Sequence, residues 1–398
     1  MSKNNENKLV TKLRFPEFIN EKWEKKTIDE TCEVLNNLRK PLTSNLREKG
    51  EFPYYGASGI IDYVKDFIFN ERLLLIGEDG AKWGAYEKTA FIAEGKYWVN
   101  NHAHVLKPTG VVDTLLEKYL VKLDISPFIT GAAPPKLTLG KLKSIPVPIP
   151  NSKKEQQKIA TCLSSLDEVI TAETEKLEIL KDHKKGLLQN LLPQEGETVP
   201  KFRFSEFEDS AEWEEATLTQ VADYENGKAH EQDIADDGKF IVVNSKFISQ
   251  DGEVKKFTNT AFLPASKGDV LMVLSDIPNG KAIAKCFLVE EDNRYTVNQR
   301  ICRITPRNVN SKILYYLLNR NPYFLAFDDG VKQTNLRKDD VLNCPLLISE
   351  DPKEQDKIAD TLSSIDDLIN AQNQKLEALQ LHKKGLLQGL FPSINNEE

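Results

Sequence analysis

The chain is written twice, and this constrains its fold more than any other feature. EQQKIATCLSSLDEVITAETEKLEILKDHKKGLLQNLL (155–192) recurs as EQDKIADTLSSIDDLINAQNQKLEALQLHKKGLLQGLF (354–391), with about 23 of 38 positions identical. Whatever supersecondary unit the first copy forms, the second must form too. KLRFPEF (12–18) returns as KFRFSEF (201–207), and Trp23 returns as Trp213. The order is therefore arm, variable block, long segment, given twice. Identity fades inside the blocks, yet VNNHAHVLKP (99–108) aligns with VNQRICRITP (297–306), and ITGAAPPKLTLGKL takes the position of DDGVKQTNLRKDDV. The blocks are expected to share one fold and to differ in their surface residues.

The long segments read as helices. Ser152 and Glu155 form a capping-box pattern; the second copy has Asp351 as N-cap, Pro352 at the first helical position and Glu354 in the box. Apolar residues follow with 3,4 spacing: Ile159, Leu163, Leu166, Ile170, Leu177, Leu180, Leu187 and Leu191, matched by Ile358, Leu362, Ile365, Ile369, Leu376, Leu379, Leu386 and Leu390. This is a coiled-coil seam. Glu173, Lys184, Gln372 and Lys383 interrupt it, which lowers stability and favours one register. Pro193 and Pro392 end the helices. Some 38 residues reach roughly 57 Å, so the helices read as spacers. With both copies in one chain, an intramolecular antiparallel pair is expected, placing the blocks at opposite ends.

The blocks read as mixed α and β. LLLIGEDGAKWG, AFIAEG, SIPVPIP, FIVVNS, DVLMVLSD and KAIAKCFLVEE are short β-rich runs, and LLEKYLVKL and ILYYLLNR are short helices. The fold class is α+β: two mixed α/β domains separated by two long antiparallel coiled-coil helices in a pseudo-two-fold repeat. The boundaries are an arm at 1–22, a block at 23–150, a central helix at 151–193 and a linker repeating the arm at 194–212. A second block at 213–350, a terminal helix at 351–392 and a tail at 393–398 follow.

The chain has 398 residues, too many for one ordinary core. With 40% hydrophobic and 29% charged residues it has a globular composition. It has no apolar signal region at its start and no apolar window of about 18 residues, so a cytoplasmic, non-membrane location is expected. Five scattered cysteines, with no CxxC pair to suggest a zinc site or redox centre, read as reduced structural thiols. The net charge of -8 argues against a DNA-coating protein, because duplex binding rests on neutralised phosphates. Basic surface must be local. Between Arg294 and Lys338 nine Lys or Arg stand against Asp328 and Asp329, and between Lys118 and Lys143 five lysines stand against Asp124.

Catalytic motifs are missing. NPYF (321–324) resembles the adenine-methyltransferase loop but lacks the second proline and follows a helical pattern, without a Gly-rich methyl-donor site. GEDGAK (77–82) lacks the second glycine and the hydroxyl of a P-loop. No cofactor is expected. His102 and His104 have strand-like spacing but no Cys or acidic cluster beside them, so they read as surface or groove residues and not as metal ligands. The Gly-rich turn offers Lys82 and Trp83 as a cation and a ring, or else a tight hairpin with one packed Trp. Lys136 in one loop, and Lys332, Gln333, Asn335 and Arg337 in its counterpart, join basic and amide side chains. Such groups suit phosphates and base edges, Arg or Lys to guanine and Asn or Gln to adenine. Asn298, Gln299 and Arg300 form a similar trio, and Asn101, His102 and Lys281 complete the DNA-contact candidates.

The KEQQKIA and KEQDKIA helix starts, the paired HKKGLLQ endings, the IPVPIP run and the two variable blocks resemble the specificity subunits of type I restriction-modification enzymes, over nearly the whole chain. That resemblance implies that the blocks are target recognition domains, each reading one half of a bipartite sequence across an unread spacer. It implies a non-catalytic subunit that binds double-stranded DNA. It also implies partners: two adenine N6-methyltransferase subunits on the near-symmetric helices, and two ATP-driven translocase and nuclease subunits in the cutting enzyme. The acidity departs from simple DNA binding and suggests weak affinity without partners. Two rivals remain open: a coiled-coil adaptor whose blocks bind a non-DNA ligand, and a self-sufficient modification enzyme.

Overall fold

The computed structural model describes residues 9–194, 196–278 and 280–393; most of the expected tail and the first eight residues of the arm lie outside them. The chain divides into two compact units, Met1–Lys176 with Gln372–Glu398, and Leu177–Ala371. Each long helix, Lys153–Leu191 and Pro352–Leu390, thus contributes to both units. None of the described helices is long and apolar enough to cross a membrane.

In the first unit the strand Leu73–Gly77 is the centre of a four-stranded antiparallel sheet, between Ala103–Pro108 and Ala90–Ala93, with Cys32–Val34 at the far edge. All five of its residues are buried because both faces are covered. Leu74 and Ile76 face the helix Asp113–Lys122 with Leu115, Leu116 and Leu120, while Leu73 and Leu75 face a second sheet through Phe69 and Tyr97. The period-2 alternation of a strand thus serves two cores at once. The second unit repeats this: Val270 and Met272 face the side of the helix Ser311–Leu318, and Leu271 and Val273 face the other sheet. The β-rich runs and both short helices anticipated from the sequence are where they were expected.

The proline-rich run forms the strand Pro146–Pro150, antiparallel to Trp23–Thr27. Prolines at every second position leave all the missing N–H groups on one edge, so the ladder to Trp23–Thr27 survives. Glu214–Thr217 and Pro345–Ile348 pair likewise in the second unit.

The helix segments run antiparallel within each unit. In the first, Asp167 meets Lys383, and Glu173 accepts a hydrogen bond from the Gln372 amide at 2.7 Å and pairs with Lys375 at 2.6 Å. In the second, Lys184 pairs with Asp366, which also accepts from the Tyr316 hydroxyl at 2.7 Å. The four polar seam residues are thus all partnered, which fixes one register. At the ends the seam merges with the block cores: Ile159 and Leu163 share a cluster with Trp23, Leu390 and Phe391, and Ile358 and Leu362 share one with Trp213 and Leu191.

Asp351 caps the second helix as expected, accepting from the Lys353 N–H at 2.8 Å ahead of Pro352, but the glutamate halves of both capping boxes are corrected. The Glu155 backbone N–H does donate to Ser152 Oγ at 3.4 Å, but its carboxylate turns to the arm, accepting twice from Arg14 at 2.9 Å. Glu354 accepts from Arg203 at 2.7 and 2.9 Å and from the Ser349 hydroxyl. A bidentate charge-assisted pair outweighs one hydrogen bond to a backbone N–H. The following glutamines, Gln156 and Gln355, accept from the backbone of Val112 and Asn310 and donate to Pro150 and Ser349 carbonyls, tying each helix start to its block. The repeated KEQ is therefore a docking device. The arms also join helix ends: Leu13 donates to the Gly389 carbonyl at 2.8 Å, and Phe202 to that of Asn190 at 2.9 Å.

Candidate nucleic-acid interface

Three stretches converge at the end of the central strand in each block. In the first, Glu78 N–H donates to the His102 carbonyl at 2.8 Å and Leu137 N–H donates to the Glu78 carbonyl at 2.7 Å. In the second, Leu274 N–H donates to the Arg300 carbonyl at 2.9 Å and Leu336 N–H to the Leu274 carbonyl at 2.8 Å. The backbone scaffold is the same, and the side chains differ. His102 stands where Arg300 stands, and Lys136 where Asn335 stands, as the sequence alignment of the blocks requires.

In the first block the cations are tied to acids. Lys136 reaches Glu78 at 3.0 Å and Asp79 at 3.6 Å, and His102 Nδ1 pairs with Asp79. Arg39, which sequence reasoning missed, reaches Glu78 at 2.6 Å and the Ala103 carbonyl at 2.7 Å. Burial pushes the Glu78 carboxyl up, but hydrogen bonds from Arg39 and Lys136 outweigh it and hold it below the ordinary carboxylate value. The Glu78 bond correspondingly holds the Lys136 ammonium above its usual value. The acids were visible in GEDGAK; their partner in the distant NNLRKP run carried no signal.

Two expectations change here. His104 is not a surface residue: it is 1% exposed, and its Nε2 donates to the Leu137 carbonyl at 2.7 Å. Its Nδ1 therefore accepts from Asn36 at 2.8 Å, and burial holds its pKa below the ordinary value. Trp83 does not offer a free ring, since it packs on the core and its indole N–H donates to the Gly77 carbonyl at 3.2 Å. Lys82 and Asn101 are exposed nearby.

The second block is less compensated. Ser275–Asp276 pairs with Thr334–Asn335, and the Gln333 amide donates to Ser275 Oγ at 2.6 Å and to Asn335 Oδ1 at 3.3 Å. Asp276 holds the turn carrying Lys281 by accepting from the Ala282 backbone at 2.6 Å. Lys281, Gln299, Arg300, Lys332 and Arg337 are exposed and Asn298 half-buried. Among the described residues none of these four cations is in an ion pair. NPYF is a helical turn: Asn321 caps it by accepting from Tyr323, and Phe324 is fully buried. Among the described residues no group of His, Cys, Asp and Glu is arranged to hold a metal.

Residues 20–182 and 210–381 each match the sequence model of the type I restriction modification DNA specificity domain. A protein of Haemophilus influenzae named as a type I restriction enzyme specificity subunit is 39% identical over 145 residues, spanning 35% of this chain and 37% of that relative. The MjaVIII specificity subunit of Methanocaldococcus jannaschii is 24% identical over 407 residues, covering 94% of this chain and 92% of the relative. The crystal structure of the type I restriction-modification S subunit from M. genitalium shares the fold, with a TM-score of 0.69 at 16% identity over 97% of this chain and 100% of that one.

Proposed function

The chain belongs to the type I restriction-modification DNA specificity family, whose members are non-catalytic DNA-recognition subunits, and we propose that it reads a split duplex target with one block per half-site. Residues 23–150 read one half and residues 213–350 the other. The observation that carries this reading is the repeated convergence of three stretches on one backbone scaffold, with His102, Asp79 and Lys136 on one copy and Arg300, Ser275 and Asn335 on the other. One scaffold with two side-chain sets suits two unlike half-sites. Arg and Lys match guanine O6 and N7 or phosphates, and Asn and Gln match adenine N6 and N7.

The long helices dock two adenine N6-methyltransferase subunits, and through them two translocase and nuclease subunits. Val169 and its repeat counterpart Leu368, 43% and 56% exposed, give the two helices matched surfaces, as two like partners require. The test is a block exchange. Replacing residues 23–150 with the corresponding block of a relative and sequencing the methylated adenines in host DNA should change one half of the motif. A change in both halves would refute the two-reader assignment.

A further inference from the structure

A polar cleft of about 290 Å³ opens beside Arg300 in the second block. The fold builds it from three separate segments. Asn298 N–H donates to the Val243 carbonyl at 3.0 Å, setting the 298–300 stretch against the end of the strand Phe240–Val243, which leads directly into Ser245 and Lys246. Val242 N–H donates to the Lys256 carbonyl at 2.8 Å, bringing Lys256 to the same place. Lys246, Lys256 and Arg300 line the cleft, and among the described residues none of them is in an ion pair. The acid in the lining, Glu231, is bonded by the Gln299 amide at 3.1 Å. The Ser245 hydroxyl is buried at the wall and has no hydrogen-bond partner. Three cations against the single carboxylate of Glu231 leave the lining of this small concavity net positive, which suits a tetrahedral oxyanion. The Arg300 carbonyl ties this wall to the converging stretches of the reading surface, so a phosphate held here is continuous with the half-site.

We propose that this cleft seats one backbone phosphate of the duplex whose half-site the second block reads. The proposal rests on the DNA-reading function above. Lys246 and Lys256 anchor the strand and fix its register without reading sequence, while Arg300 spans the phosphate and the base edge.

The test uses the full chain assembled with its methyltransferase subunit, on a duplex carrying the motif mapped from host methylation. Lys246→Ala/Lys256→Ala should flatten the plot of log affinity against log salt by about one for each phosphate no longer neutralised, so that the affinity drop between 50 and 200 mM salt shrinks about three- to fourfold per phosphate. The methylated sequence should not change. Lys246→Arg/Lys256→Arg should keep the wild-type slope. In a scan of single neutral methylphosphonates, one linkage should weaken the wild-type complex and leave the alanine variant unaffected. An unchanged slope and scan would overturn the proposal, as would an altered methylated motif. Pyrophosphate binding without DNA that the alanine variant loses, with the DNA salt slope intact, would assign the cleft to a free polyphosphate and overturn it as well. Failure of the wild-type complex to bind the motif duplex would instead refute the DNA-reading function.

Discussion

Arg203→Met should detach the linker arm from the second unit at a large and measurable cost. The guanidinium donates to Glu354 at 2.7 and 2.9 Å and to the carbonyls of Ser210 and Ala211 at 2.9 Å each. The two side chains are 7% and 1% exposed. Methionine retains the apolar stem but leaves the Glu354 carboxylate buried, with only the Ser349 hydroxyl beside it. Removing one partner of such a pair costs about 3 to 5 kcal/mol, against a total of about 5 to 15 for a domain. Arg203→Met/Glu354→Gln removes the stranded charge, so its loss should be well below the sum of the two single losses. Urea unfolding followed by circular dichroism gives the stability. Hydrogen exchange over residues 198–211 locates the loss and does not require the two units to unfold together. Lys357→Ala is the control: its pair with Glu206 at 3.3 Å is about half exposed on both sides and should have no measurable effect. A loss under about 1 kcal/mol for Arg203→Met, or strict additivity in the double variant, would refute the argument.

Arg300→Ala and Arg337→Ala should each cost about 1 to 3 kcal/mol of DNA binding with relaxed specificity at one position if they read bases, and a uniform loss with a shallower salt slope if they hold phosphate. Gly77→Ala places a Cβ 2.4 Å from Ala81 Cβ and 2.8 Å from the Ala57 carbonyl oxygen, so the Gly-rich turn must shift. Such overpacking costs about 1 to 3 kcal/mol, and recognition should fail at the first half-site only; loss at both would count against independent blocks. His104 has its pKa lowered by burial, so the unfolded chain binds more protons below the ordinary value of 6.5. Stability should therefore be fully present above pH 6.5 and fall as the pH drops below it, and His104→Gln should flatten this dependence in urea unfolding at pH 7.5 and 5.5; an equal loss in both proteins would refute the assignment.

Much of this architecture was legible in the sequence. The duplication alone required two like units, and the 3,4 spacing from Ile159 to Leu191 and from Ile358 to Leu390 located both long helices, because an apolar stripe can be buried only at the helical period. The alignment of His102 with Arg300 and of Lys136 with Asn335 already paired the positions that the fold places on one scaffold. The partners of those residues could not be read from the chain. Glu155 looked like a cap residue because local spacing is all a capping box shows, and its competitor Arg14 lies 141 positions away. His104 looked exposed beside His102 because strand alternation says that neighbours but one share a face, not whether a loop from Leu137 will cover one of them. Trp83 and Arg39 were settled in the same way, by interactions that only chain closure creates. Sequence period determines which elements form and which faces are apolar. Which buried polar groups meet, and therefore which cations stay free for an anionic partner, depends on long-range packing that leaves no local pattern.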